Sequence, residues 1–160
     1  MTEANATGLT DLRVVADYQF GAGAGDALFP TDAAIELSRS RSGRPRQVYV
    51  EGDRVTSYGT DGRFTLGVAG GRRLREGLDG DAYVVRVGDE SVPFVRDGKN
   101  VFAKFVTDVD PDVRSSDEVC VVGPEGNLLG VGRAELSADA MLDFETGMAV
   151  RVREGAGSDE

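Results

Sequence analysis

Sixteen arginines and only two lysines, Lys99 and Lys104, carry the positive charge of a 160-residue chain that has no histidine and one cysteine. The chemistry open to such a set is narrow. Imidazole acid–base catalysis and histidine metal ligation have no residue to perform them. A lone Cys120 supports neither an internal disulfide nor a cysteine zinc site, and its neighbours Val119, Val121 and Val122 predict a buried strand thiol. What remains is recognition of anions. Guanidinium forks suit phosphate oxygens bidentately, and an ammonium serves as a mobile point charge.

Two groups of cations invite that reading. Arg39, Arg41, Arg44 and Arg46 lie within SRSRSGRPRQ, and Arg72, Arg73 and Arg75 follow on an expected helix. The segment from Arg39 to Arg75 holds nine arginines against three acids, inside a chain whose net charge is −10. Such asymmetry says more than the total. The second group is the lysine pair. Over residues 99–106, a period of 3.6 places Val101, Phe102, Phe105 and Val106 on one arc and Lys99, Asn100, Ala103 and Lys104 on the other. The expected helix then shows both lysines on one exposed face, buries Phe102 and Phe105, and offers its first-turn N–H groups, after Gly98, to a phosphate oxygen.

Three other patterns carry less. Gly21, Gly23 and Gly25 form G-x-G-x-G followed by Asp26, which lacks the dinucleotide-loop spacing and any surrounding βαβ unit. Asp108, Asp110 and Asp112 resemble the start of a calcium loop, but Val119 stands where the bidentate glutamate belongs and Pro111 stiffens the run. An acidic surface loop is expected there. Neither cofactor nor metal is expected.

The elements positioning these residues follow from apolar spacing. A helix is expected over 9–20, capped by Thr10, then strands over 34–38, 47–50, 55–58 and 63–68, with Glu51-Gly52-Asp53 as the hairpin turn between the second and third. A short helix over 70–78 ends near Gly80, and glycines and a switch of charge sign mark a boundary at 77–81. Beyond it, strands are expected over 83–87, 92–95, 119–122, 128–133 and 148–152, and a helix over 137–144 with Ser137 as its cap. Short strands with short helices indicate a closed or half-closed barrel. The first ten residues are polar and lack a signal-peptide core, and no apolar run approaches the roughly 20 residues of a membrane span, so a cytoplasmic protein is expected. Acid excess with scarce lysine is the compositional style of extreme halophiles, in whose concentrated KCl the acids serve solvation.

The run GKNVFAKFVTDVDPDVRSSDEVCVVGPEGNLLGVGRAELSADAMLDFETGMAVRV, starting at Gly98, resembles the PUA domain of pseudouridine synthases and archaeosine tRNA-guanine transglycosylases. DYQFGAGAGDALFP, GRPRQVYV and DGRFTL upstream resemble the segment preceding PUA in the archaeal transglycosylases. The resemblance implies an α+β protein: a small pre-PUA α/β sandwich domain over residues 9–80 and a PUA β-barrel (pseudobarrel) over 81–154; the small, polar ends at 1–8 and 155–160 are expected to be disordered tails. It implies RNA contacts by Gly98, Lys99, Asn100, Lys104, Arg133, Arg151 and Arg153; the basic block's own charge adds Arg44 and Arg46 as expected supplementary contacts. The large catalytic barrel of those enzymes does not fit in 160 residues. The expectation is therefore a stand-alone, non-enzymatic RNA adaptor, with tRNA as its ligand and an RNA-modifying enzyme as a further partner, and with neither DNA nor membrane. The alternative is a scaffold subunit of an RNA-modifying complex.

Overall fold

The computed structural model describes residues 2–3, 6–78 and 80–157. The chain divides into two compact units, Met1–Gly80 and Asp81–Glu160. Of the two expected tails, residues 1, 4, 5 and 158–160 lie outside the described residues.

The first unit sets three helices with an antiparallel sheet. Helix α1 (Ala6–Phe20) starts a turn earlier than expected, so Thr10 lies inside it rather than capping it. Leu12, Ala16 and Phe20, spaced by four, form its buried stripe. The glycine-rich run then makes a tight turn into α2 (Ala24–Leu28). Gly23 takes φ 94°, and a Cβ on Gly25 would stand 2.5 Å from the Arg13 carbonyl oxygen. Close packing of α1 and α2 therefore explains these glycines.

Strand β1 (Thr2–Glu3) flanks β2 (Ile35–Arg39), β3 (Pro45–Val50), β4 (Asp53–Tyr58) and β5 (Phe64–Leu66), in that spatial order. Glu51 and Gly52 both take positive φ, 51° and 88°, so the hairpin turn has two residues and Asp53 already pairs with Val50. At the β5 edge, Gln19 of α1 donates to the Phe64 carbonyl (2.8 Å) and accepts from the Phe64 N–H (2.7 Å). One amide thus satisfies both backbone groups that an edge strand leaves open. Helix α3 (Val68–Gly77) lies so close to β4 that a side chain on Gly70 would collide with the Val55 carbonyl. Val68 opens this helix instead of ending the preceding strand.

The second unit is a nearly closed barrel. It comprises β6 (Val84–Val87), α4 (Val92–Arg96), β7 (Val101–Phe102), β8 (Val106–Val109), β9 (Glu118–Val122), β10 (Leu128–Ala134), α5 (Ala138–Asp143) and β11 (Met148–Gly155). The sheet order is β7-β11-β10-β9-β6-β8, antiparallel except for β6 with β9. Strands β7 and β8, adjacent in sequence and joined by a 3-10 turn over Ala103–Phe105, occupy its two ends. The core is rich in valine, from Val85 and Val87 through Val119 and Val121 to Val150. Each such residue contributes about 1.5–3 kcal/mol on burial. The expected α+β architecture with a pseudobarrel is what the chain adopts.

Two expectations about this unit are overturned, and they are linked. Residues 92–95 form helix α4 rather than a strand, with Pro93 in its first turn, where a missing N–H costs nothing. Gly98, at φ 88°, closes that helix: its N–H donates to the Val95 carbonyl and the Lys99 N–H to the Phe94 carbonyl, both at 2.9 Å. That pattern is a left-handed helix C-terminus. Gly98 therefore ends a helix instead of preceding one, and no helix spans 99–106. Val101 and Ala103 are buried while Phe102 and Lys104 are exposed, a period of two.

Other expectations hold. Cys120 is buried in β9. The Ser137 Oγ accepts from the Ala140 N–H at 3.3 Å at the start of α5. Ser137→Ala is expected to cost about 1 kcal/mol, read as a lower urea midpoint by circular dichroism; an unmoved midpoint would show that the cap contributes nothing. The last strand continues past Val152, with Gly155 paired to Gly130, so the expected tail begins later than residue 155.

Candidate nucleic-acid interface

Helix α4 buries Val95 and turns Phe94 outward, 61% exposed; β7 buries Val101 and turns Phe102 outward, 46% exposed. Between these rings lies an apolar cleft of about 380 Å³, floored by Val95 and Val101, with Phe105 on its wall and Glu90, Ser91 and Lys99 at its edge. Two exposed rings at one cleft form a local apolar surface.

Lys99 lines this cleft, and Lys104 reaches the ring of one of its lining residues, Phe105. Lys99 is exposed, and its Nζ lies 3.9 Å from Asp97 across a solvated pair worth little. Lys104 places its Nζ 5.0 Å from the centroid of Phe105, a cation–π contact that ties the ammonium to the cleft wall. Exposed rings can offer stacking faces for bases, and the two lysines charge for phosphates. Gly98 and Asn100 also have structural work, and Asn100 lines the cleft as well. Gly98 closes α4, and the Asn100 Oδ1 accepts the Val152 N–H at 2.9 Å, fastening the loop to β11.

The predicted arginines of the barrel separate into two kinds. Arg153 donates to both oxygens of Glu118, at 2.8 and 2.6 Å, and Glu118 is buried. This guanidinium neutralises an interior carboxylate. Arg133 and Arg151 both reach Glu135, each with its Nε at 3.2 Å. Their hydrogen bonds, Arg133 first and then Arg151, hold the Glu135 carboxyl below its ordinary range. Arg133 and Arg151 remain about half exposed.

The basic block of the first unit divides likewise. Arg44 Nη1 donates to the Gly59 carbonyl (3.0 Å) and Arg39 Nη1 to the Gly43 carbonyl (2.8 Å), so both brace turns. Arg73 faces Glu51 at 3.9 Å. Arg41, Arg46 and Arg72 are exposed, and among the described residues their side chains make no hydrogen bond or ion pair. The aspartates of the acidic loop have local work: the Asp110 carboxylate accepts from the N–H groups of Tyr83 (2.8 Å) and Asp112 (3.0 Å).

Sequence reasoning missed Phe94 and placed Phe102 in the core. The signal that exposes Phe94 was present, because Pro93 just inside and Gly98 just beyond a short apolar run delimit a helix.

Comparison with known proteins agrees with this architecture. Residues 10–81 match the patch-forming domain C2 of tRNA-guanine transglycosylase, and residues 83–156 match the PUA domain. The tRNA-guanine(15) transglycosylase of Methanothermobacter thermautotrophicus is 44% identical over 154 residues, which is 96% of this chain and 23% of that protein. The chain thus spans about a quarter of the length of such relatives. A hypothetical protein from Pyrococcus horikoshii OT3 superposes with a TM-score of 0.75 at 19% identity, covering 98% of this chain and 95% of that one. A conserved PUA domain protein from Thermoplasma acidophilum gives 0.72 at 18%, covering 99% and 95%. Both likenesses show the fold. The chain is a PUA-domain protein, a transglycosylase C2 domain followed by a PUA domain, resembling the C-terminal region of the archaeal tRNA-guanine transglycosylases.

Proposed function

We propose that this protein binds RNA through the cleft between Phe94 and Phe102, that tRNA is the RNA bound, and that it presents that RNA to a modification or maturation enzyme in the cytoplasm. The observation carrying the reading is a cleft lined by the exposed rings of Phe94 and Phe102 and by Lys99, with the Lys104 ammonium over Phe105, another of its lining residues. The relatives support tRNA, since their name describes an enzyme acting on it. The reading assigns binding and orientation, with no catalytic step.

A net charge of −10 opposes any polyanion at low salt. In concentrated KCl, for which the composition is suited, the screening length is roughly 3 Å at 1 M. Repulsion from the distant acids then vanishes along with long-range attraction. Stacking and close hydrogen bonds, which salt weakens least, remain.

The test is binding of labelled tRNA by the full chain across a KCl series. Wild type is expected to bind. Lys99→Ala/Lys104→Ala is expected to lose about 10-fold in affinity and to lower the log–log salt slope by about 1.5, as for two lost phosphate contacts. Absence of wild-type binding at every salt concentration would overturn the reading.

One observation favours a second reading. Val14 and Tyr18, four apart on α1, are exposed beside a groove of about 430 Å³ bordered by Gln19 and Arg63. A scaffold subunit docking a protein there predicts stable co-purification with that partner and no RNA affinity alone.

A further inference from the structure

Arg133 on β10 and Arg151 on β11 are direct cross-strand partners, with side chains on the same face, 49% and 59% exposed. Like charges set opposite each other in an antiparallel pair are destabilising. A chain so rich in acid has ready means to avoid the arrangement, and the same sheet shows how. Arg153, two residues along β11, is neutralised by a carboxylate of its own, Glu118, through both oxygens. Arg133 and Arg151 instead divide one carboxylate between them.

Glu135 is itself held. Its N–H donates to the Ala149 carbonyl at 2.8 Å, and its carbonyl accepts from the Ser115 Oγ at 3.4 Å. Its Oε1 and Oε2 accept the Nε–H groups of Arg151 and Arg133, and the Arg133 Nη2 adds a bond at 3.5 Å. Among the described residues these are the only bonds of either guanidinium. Among the described residues, both Nη groups of Arg151 and Nη1 of Arg133 have no hydrogen-bond partner, and the trio keeps one net positive charge. A carboxylate that accepts from the Nε–H of both guanidiniums restrains the two side chains together and leaves Nη donors of each unused.

We propose that Glu135 is a positioning residue, holding Arg133 and Arg151 as a preorganised fork for a backbone phosphodiester of bound RNA. The inference rests on the RNA-binding reading and gives Glu135, an acid, a favourable part in binding a polyanion. Restraining the two side chains in advance removes ordering entropy from the binding step.

The experiment is tRNA binding by wild type, Glu135→Gln, Arg151→Lys and Arg133→Ala/Arg151→Ala, with the same glutamine change added to the double variant. Glu135→Gln is expected to weaken binding roughly 5-fold although it raises the net charge by one unit, because the fork loses its anchor. Arg151→Lys, which keeps charge without the planar fork, weakens it comparably. In the background lacking both arginines, Glu135→Gln has no further effect. Tighter binding by Glu135→Gln, full affinity in Arg151→Lys, or an equal loss without the arginines would overturn the proposal. Failure of wild type to bind tRNA strikes the RNA reading itself. Binding that depends on Phe94 and Phe102 but not on Glu135 leaves that reading standing and removes the fork alone.

Discussion

Replacing Phe94 and Phe102 together with alanine is expected to weaken tRNA binding roughly 100-fold, about 2.7 kcal/mol, with little change in stability. Both rings are exposed on the cleft, so their loss leaves no cavity in the core. Exposed substitutions of this kind fall within about 0.5 kcal/mol of neutral for folding. A base stacked on an aromatic face is worth about 1–3 kcal/mol, and two rings flanking one cleft act on the same one or two bases, so their contributions are not fully additive. Salt separates this effect from that of the lysines. The alanine pair lowers affinity at every KCl concentration and leaves the log–log slope where it was, whereas loss of Lys99 and Lys104 flattens the slope. Anisotropy titration of labelled tRNA, paired with urea denaturation, reads both quantities. An affinity within twofold of wild type would remove the cleft from the interface.

That cleft was half legible in the sequence. The two lysines of residues 99–104 single out this stretch, and the structure places Lys99 in the lining of the cleft and the Lys104 ammonium over Phe105. The expected helix was wrong because Val101, Phe102, Phe105 and Val106 fit a helical arc as readily as a strand followed by a turn, and eight residues are too few for periodicity to choose. The same ambiguity turned residues 92–95 into an expected strand, although their five-residue helix is bracketed by Pro93 and Gly98. Where patterns were longer or turn chemistry was distinctive, the reading held. The hairpin at Glu51-Gly52 and the Ser137 cap are local, determined by a few adjacent residues. Ion pairing is not local. Arg153 and Glu118 lie 35 residues apart, and nothing in either neighbourhood distinguishes Arg153 from Arg151, which faces the same way two residues earlier.

Arg153→Ala is accordingly expected to act on the fold, at a cost of about 2–3 kcal/mol. Its guanidinium is one-third exposed, but the Glu118 side chain it holds is only 5% exposed and sits on a central strand of the barrel. Removing the arginine leaves a carboxylate that water reaches poorly, and the loss is mostly the desolvation of that unpaired charge. Replacing both partners, as Glu118→Leu with Arg153→Met, is expected to recover most of the stability, since apolar groups of similar volume need no counter-charge. Urea midpoints of the two single variants and the double variant form the cycle that isolates the pair. The pair also fixes what Arg153 can do for RNA. With both carboxylate oxygens engaged at 2.8 and 2.6 Å, it has less to offer a phosphate than Arg133 or Arg151, whose outer donors are open. At temperatures where the variant remains folded, Arg153→Ala should therefore lower tRNA affinity less than the lysine pair does. A larger loss of affinity with an unmoved urea midpoint would restore Arg153 to the binding surface and reduce Glu118 to a bystander.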